Sequence, residues 1–231
     1  MKKTILFLTT AILSGSLYAQ SQPISTQTKP KILTVEELEN KKSKKFEASE
    51  TRNFTSEELM SMETLIGKKD FANLYDYLKN VKVSPANYIA YLESKRDLGI
   101  IPLYWLMADY YSFQSNAVEA THFWSSVAVI TTAQDAALCN DQTAKYAPQK
   151  MVKSFPNAQS VTAKNPQYVD PTMPKVKFFI SNLKTRITPE WVCVFGDQYA
   201  SKYRNNPTIS KSEWEDKRNE VFQKFTSKFG N

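Results

Sequence analysis

The sequence predicts an all-α fold in one compact domain, and three features of the chain support this class. Only 5 of the 231 residues are glycine, fewer than a turn-rich β fold usually contains. Apolar residues recur every three or four positions over much of the chain after residue 54. Residues that typically begin or end helices lie at the boundaries of these apolar runs, so both signals indicate the same elements.

Three short helices are predicted first. Thr55 followed by Glu58 matches a capping box, and Gly67 ends the apolar run that comes after it. Asp70 is suited to cap a second helix, and Pro85 to occupy the first turn of a third.

A helical hairpin is predicted next. Pro102 opens a fourth helix that runs to about Gln114, and Asn116 opens a fifth that runs past Cys139. Their apolar positions repeat every three or four residues, so we expect the two helices to pack against each other across a tight turn.

The second half of the chain is more ambiguous. Four prolines between positions 156 and 174 predict an extended surface loop over residues 154–174. Residues 175–186 favour a helix, but β-branched and aromatic residues near 175–196 are also compatible with short strands. Ser210 with Glu213 matches a second capping box, which predicts a final amphipathic helix.

The N-terminus has the pattern of a secretory signal peptide: Lys2 and Lys3, an apolar stretch, and small residues up to Ala19. We expect cleavage after Ala19, which gives a signal at 1–19, a flexible polar leader at 20–53 and a helical domain at 54–231. The apolar stretch of about ten residues is too short to span a bilayer, which takes roughly 20. The expected location is therefore periplasmic or secreted, without membrane insertion.

The chain is basic, with a formal net charge of +7. Removal of Lys2 and Lys3 with the signal leaves 28 basic and 23 acidic residues, a net charge of about +5. Part of this excess lies in four lysines between positions 41 and 45, where a solvated segment is expected. A basic patch attracts nucleic acid, anionic lipid and acidic proteins alike. Nucleic acid is not expected as a partner, because an exported protein rarely meets it.

Cys139 and Cys193 are the only cysteines. In an oxidising compartment a single disulfide is the simplest interpretation. The alternative is a reactive thiol pair, but such pairs are usually two cysteines separated by two residues, whereas these lie 54 positions apart.

Few residues suit catalysis. His122 is the only histidine, which excludes a histidine-cluster metal site and requires any serine triad to use this residue. No two glycines lie close together, so no phosphate-binding glycine loop is present. We therefore expect no cofactor and no metal. Scattered carboxylates leave open a glycan-cleaving enzyme that uses two of them across a cleft.

Residues 104–127 resemble one tetratricopeptide unit. The matching positions are Tyr104, Met107, Ala108 and Tyr111 on the first helix and Ala120, Trp124 and Val127 on the second. Thr132 departs from the family pattern, which usually has proline there, and this departure suggests that the second helix continues. The resemblance implies that Trp124 and Tyr111 are buried between the two helices.

The same resemblance implies a binding groove. Phe71, Tyr75, Trp105, Asp109 and Phe113 occupy offsets that face the concave side in tetratricopeptide proteins. Amphipathic aromatic residues beside a charge suit a protein-binding surface. The alternative is that these residues belong to the core and are covered by residues 154–174 or by the last helix.

A second resemblance concerns both cysteines. Two stretches are similar to recurring signatures in a family of exported bacterial helical proteins without an established activity: EATHFWSSVAVITTAQDAALCNDQTAK and TPEWVCVFGD. In that family the cysteines fall in these two signatures, which agrees with a disulfide.

Together these observations predict a periplasmic protein that binds another protein without catalysis. The most specific version is an immunity protein that neutralises a toxin delivered by a rival cell, for instance through a type VI secretion system. The alternatives are an accessory protein or chaperone of the envelope or secretion machinery, and a cell-wall glycan enzyme. The sequence does not predict the oligomeric state.

Overall fold

A computed structural model of the chain describes residues 52–227. The predicted signal peptide and nearly all of the predicted leader lie outside these residues. Within the described range the regular structure is helical, and the only β-type pairing is an isolated bridge between Cys139 and Thr208. The predicted all-α class is therefore confirmed.

The α-helices of the described chain are numbered here in order. They are α1 (Ser56–Gly67), α2 (Phe71–Asn80), α3 (Pro85–Ser94), α4 (Ile101–Ser112), α5 (Val118–Ala136), α6 (Ala147–Ser154), α7 (Pro156–Lys164), α8 (Val169–Ser181), α9 (Glu190–Cys193) and α10 (Trp214–Thr226). Short 3₁₀ turns precede α4, α6, α8 and α10, and a π-helical turn covers Tyr199–Tyr203.

The first helices begin where local chemistry predicts. The Thr55 hydroxyl accepts a hydrogen bond from the Glu58 N–H, and the Glu58 carboxylate accepts one from the Thr55 N–H, which completes the capping box. The Asp70 side chain caps α2 by accepting from the Asn73 N–H. Each cap satisfies backbone donors that a helix start leaves without partners.

Helices α4 and α5 form the predicted hairpin at the centre of the fold. All residues from Ile101 to Tyr110 are buried, so α4 has no face open to solvent over that length. Helix α5 contacts α4, α6, α7, α8, α9 and α10. Helices α2 and α3 also pack on α4. The second hairpin helix continues past Thr132, as the departure from the tetratricopeptide pattern indicated. It ends at Ala136, so the prediction that it runs past Cys139 is wrong.

The predicted loop over residues 154–174 is wrong, because this segment contains α7 and the start of α8. Pro156 and Pro166 occupy first-turn positions, where a helix does not need the missing N–H. Pro174 lies inside α8 and removes one backbone donor without ending the helix. The alternative of short strands near 175–196 is also wrong, since residues 175–181 lie in α8, residues 190–193 lie in α9, and the remaining residues of this range form no strand.

The predicted disulfide is confirmed. Cys139 and Cys193 are bonded, and their Cα atoms lie 5.4 Å apart. The bond joins the residues that follow α5 to the end of α9. The second capping box does not form, because the Ser210 side chain makes no capping bond and a 3₁₀ turn leads into α10. Across residues 52–227, no helix has the length and apolar character needed to cross a membrane.

Candidate functional site

The structure does not leave the predicted groove open to solvent. Phe71, Trp105 and Asp109 are buried, with only 2% of Trp105 exposed, while Tyr75 and Phe113 are half-buried. The prediction that these five residues form a solvent-reachable face is therefore wrong. The alternative prediction, that these residues belong to the core, is confirmed for Phe71, Trp105 and Asp109.

Phe155 is the residue that fills this groove. Its ring stacks on Trp105 at a centroid distance of 5.6 Å and meets Tyr75 edge-on at 6.3 Å. The Trp105 indole N–H donates to the Thr132 hydroxyl of α5 at 3.0 Å, so its polar atom is satisfied inside the protein. Phe155 lies at the corner between α6 and α7, within the segment that the sequence predicted to be a loop. The groove is thus closed by the chain itself.

The hairpin residues follow the tetratricopeptide resemblance in part. Trp124 is buried and stacks on Tyr104 of α4 at 5.6 Å, as expected. Tyr111 is only half-buried, and its hydroxyl donates to the Glu93 carboxylate of α3 at 3.1 Å. Burial and the nearby Glu93 raise the pKa of Tyr111 to about 12. Tyr111 therefore packs towards α3 and not between the two hairpin helices.

The most exposed large hydrophobic side chain of the described residues is Phe178 on α8, at 72%. It borders a shallow apolar groove of about 490 Å³. We call this region the Phe178 surface and define it by the residues that line the groove: Arg96, Phe123, Pro174, Lys175, Phe178 and Phe179.

The floor of the Phe178 surface is fixed to the core. Phe179 and Phe123 are half-buried and pack against each other at 5.7 Å. Phe179 also meets the rings of Tyr104 at 5.7 Å and Trp124 at 5.4 Å. Because its neighbour in sequence is held by three aromatic contacts, Phe178 projects from a packed platform.

The rim of the Phe178 surface carries two cations. The Arg96 guanidinium lies 3.6 Å from Glu93 and 3.4 Å from Asp97, and its side chain is about half exposed. Lys175 pairs with Glu119 of α5 in an exposed ion pair. The groove lining itself contains no acidic residue. Aromatic and Arg side chains around a depression are typical of protein-binding surfaces.

A second shallow groove of about 560 Å³ lies on α1. Its lining residues are Glu57, Met60, Ser61, Thr64 and Leu65, all from one helix. Met60 is 71% exposed, nearly as much as Phe178. This groove has no aromatic residue, so it lacks the rigid anchors that usually dominate protein interfaces.

His122 is buried, and its ring stacks on Tyr168 at 5.9 Å. Burial lowers the pKa of His122, and its Nε2 has no hydrogen-bond partner. Within residues 52–227 no group of three or more His, Cys, Asp or Glu side chains is arranged to hold a metal ion.

No pattern in the sequence singles out the Phe178 surface. Its residues come from the 3₁₀ turn after α3, from α5 and from α8, and residues 178–180 are three consecutive apolar residues. The periodicity of α8 therefore could not indicate which phenylalanine faces outwards.

Comparisons with family models, with curated proteins and with solved structures find no significant match to this chain.

Proposed function

We propose that this chain is an exported protein that binds another protein without catalysis, and that the Phe178 surface is its binding site. The observation that carries the proposal is the 72% exposure of Phe178 beside an apolar groove. Resemblance to exported helical proteins, the signal-like N-terminus and the disulfide support a location outside the cytoplasm.

Exposed aromatic side chains favour binding for a physical reason. A phenylalanine that becomes buried in a complex removes a large apolar area from water, and each Å² contributes roughly 25 cal/mol. A side chain held on a packed platform also loses little conformational freedom on binding, which lowers the cost of association. Phe178 meets the first condition through its exposure, and the backbone that carries it is fixed because Phe179 beside it is packed into the core.

The most specific version of this proposal is neutralisation of a toxin by direct binding. It rests on export, on the family resemblance and on the absence of enzymatic motifs in the sequence. An accessory role in the envelope or secretion machinery would use the same surface with a different partner. The identity of the bound protein separates the two versions, whereas both require binding through Phe178.

Two alanine variants test the binding site. Phe178→Ala and Met60→Ala each truncate a side chain of nearly equal exposure on different helices. Each variant and the wild-type protein are immobilised, incubated with envelope extract, and the bound proteins are identified by mass spectrometry. We expect a specific partner to be lost with Phe178→Ala and retained with Met60→Ala, with unchanged melting temperatures for both.

A partner that is retained by both variants would contradict this placement of the binding site. Loss of the partner with both variants would also contradict it, because surfaces on two different helices would then contribute equally. For the toxin version, the captured protein must inhibit growth when it is produced in the periplasm, and co-production of the wild-type chain must restore growth.

A further inference from the structure

We infer that the occupant of the Phe178 surface is an acidic amphipathic protein segment: a large apolar side chain that fills the groove, flanked by Asp or Glu residues that reach Arg96 and Lys175. This inference rests on the proposed function and adds the chemistry of the partner. It follows from the charge of the groove lining, from the neighbouring ion pairs and from the shape of the depression.

Both charged residues of the lining are cations, and the carboxylates of Glu93, Asp97 and Glu119 lie beside them outside the lining. Arg96 and Lys175 lie in the groove wall, and the four other lining residues are phenylalanines and a proline. A basic segment would bring like charges together at this site, whereas an acidic segment meets two cations. The positive charge of the whole chain acts in the same direction, because it accelerates the approach of acidic proteins.

Both cations are available to a new partner although each already has an acidic neighbour. The side chains in their ion pairs with Glu93, Asp97 and Glu119 are all at least 31% exposed, and pairs of this kind contribute little to stability. Exchange of such a pair for a carboxylate of the partner therefore costs little. Arg96 has the additional advantage of a planar group that can donate two hydrogen bonds to one carboxylate.

The depression favours a protein segment over a lipid surface. Its floor is formed by Phe123 and Phe179, which are half-buried and recessed behind the exposed ring of Phe178. A membrane could receive Phe178, but a flat bilayer would leave the recessed floor unfilled. An apolar side chain on a protein segment can occupy the floor while its backbone lies across α8.

The test begins with a photocrosslinking residue. Phe178→p-benzoylphenylalanine protein is produced as the full chain in the periplasm, irradiated, and the crosslinked peptide of the partner is sequenced by mass spectrometry. We expect one protein segment that contains a large apolar residue and an excess of Asp and Glu. Flotation with vesicles of phosphatidylcholine and phosphatidylglycerol tests the lipid alternative in parallel.

Charge variants test the role of the rim. Arg96→Gln with Lys175→Gln removes the two groove cations. Lys150→Gln with Lys217→Gln removes two other exposed cations that also form ion pairs, so the net charge changes equally. For the partner identified by crosslinking, we expect the first double variant to raise the Kd about tenfold more than the control double variant does. Higher salt should reduce this difference in Kd.

The outcomes distinguish this inference from the proposed function. A crosslinked segment with basic or neutral character would overturn the acidic-partner inference while leaving protein binding at Phe178 intact. Equal affinity of the two double variants would do the same. Absence of any protein crosslink, or flotation with vesicles that depends on Phe178, would overturn both.

Discussion

Arg218 on α10 binds the Asp135 carboxylate on α5 through two nitrogen atoms, with Nε at 3.0 Å and Nη2 at 2.9 Å from Oδ1. Arg186 places its Nη2 3.1 Å from the same oxygen, and the Trp191 indole N–H donates to Oδ2 at 3.4 Å. Asp135 is 0% exposed. One buried carboxylate therefore links α5 to α9, to α10 and to the segment between α8 and α9.

Asp135→Asn should strongly destabilise the protein. The substitution leaves two largely buried guanidinium groups without their common counter-ion, and breaking a buried pair in this way costs about 3–5 kcal/mol. The measurement is the free energy of unfolding in urea. Asp197→Asn is the matched control, because Asp197 pairs with Lys150 on the surface, where a loss below about 1 kcal/mol is expected. Similar losses for the two variants would mean that the buried cluster contributes no more than a surface pair.

Replacement of both cysteines by serine should lower the free energy of unfolding by about 4 kcal/mol. The disulfide closes a loop of 54 residues, and the chain-entropy model gives this value for a loop of that length. Urea unfolding of the double variant and of the wild-type protein under oxidising conditions measures the difference. Addition of reductant should reduce the stability of the wild-type protein to that of the variant, while the variant should not respond. A response of the variant to reductant would point to an effect other than the disulfide.

The fold could be predicted because most of its determinants are local. Thr55 and Glu58 cap α1 from three residues apart, and the repeat of apolar residues fixes the register of the α4 and α5 hairpin. The predicted loop failed for the opposite reason. Proline in a first helical turn and proline in a loop look the same in sequence, and packing of α7 on α4 and α5 decides between them.

The binding surface could not be predicted because exposure depends on distant parts of the chain. Trp105 is covered by Phe155, which lies 50 positions later, so no local pattern marks Trp105 as buried. Phe178 and Phe179 are adjacent and identical, yet only Phe179 packs against Trp124. The tetratricopeptide resemblance located the hairpin correctly, but it carried no information about the helix corner that fills the groove.

The stability of the protein should decrease as the pH falls below about 6.5 because of His122. Burial lowers the pKa of this histidine below 6.5, although a hydrogen bond with the Asn165 backbone opposes the shift. The unfolded chain then takes up a proton at a higher pH than the folded chain does. The free energy of unfolding therefore has its full value above about pH 6.5. It falls by at most about 1.4 kcal/mol per pH unit as the pH decreases.

His122→Phe provides the control for this pH dependence. The variant keeps a ring beside Tyr168 and removes the only histidine of the chain. Urea unfolding at several pH values should show a flat profile for the variant between about pH 6.5 and pH 5.5 and a declining one for the wild-type protein. The pKa of Glu58 and that of Glu220 are each lowered to about 2, so these groups contribute only in more acidic solution. Parallel profiles for the two proteins would show that His122 does not control stability in this range.

Gly99→Ala should destabilise the protein, whereas Gly67→Ala should not. Gly99 has a φ of 66°, in the left-handed region, and a Cβ there would collide with the Thr185 carbonyl oxygen. The backbone strain at position 99 and the displacement of the backbone near Arg186 should together lower the free energy of unfolding by at least about 2 kcal/mol. Gly67 has no atom within 4 Å of its Cβ position, so alanine there should change the free energy of unfolding by less than about 1 kcal/mol.

The position of Gly99 also connects this prediction to the buried carboxylate. The Gly99 carbonyl accepts a hydrogen bond from the Ile187 N–H. Arg186, the residue before Ile187, binds Asp135. A methyl group at position 99 should therefore displace the segment that carries Arg186. Because Gly99→Ala and Asp135→Asn then weaken the same contact, the double variant should lose less stability than the sum of the two single losses. Urea unfolding of the four proteins measures the coupling, and strictly additive losses would show that the Gly99 turn and the Asp135 cluster act independently.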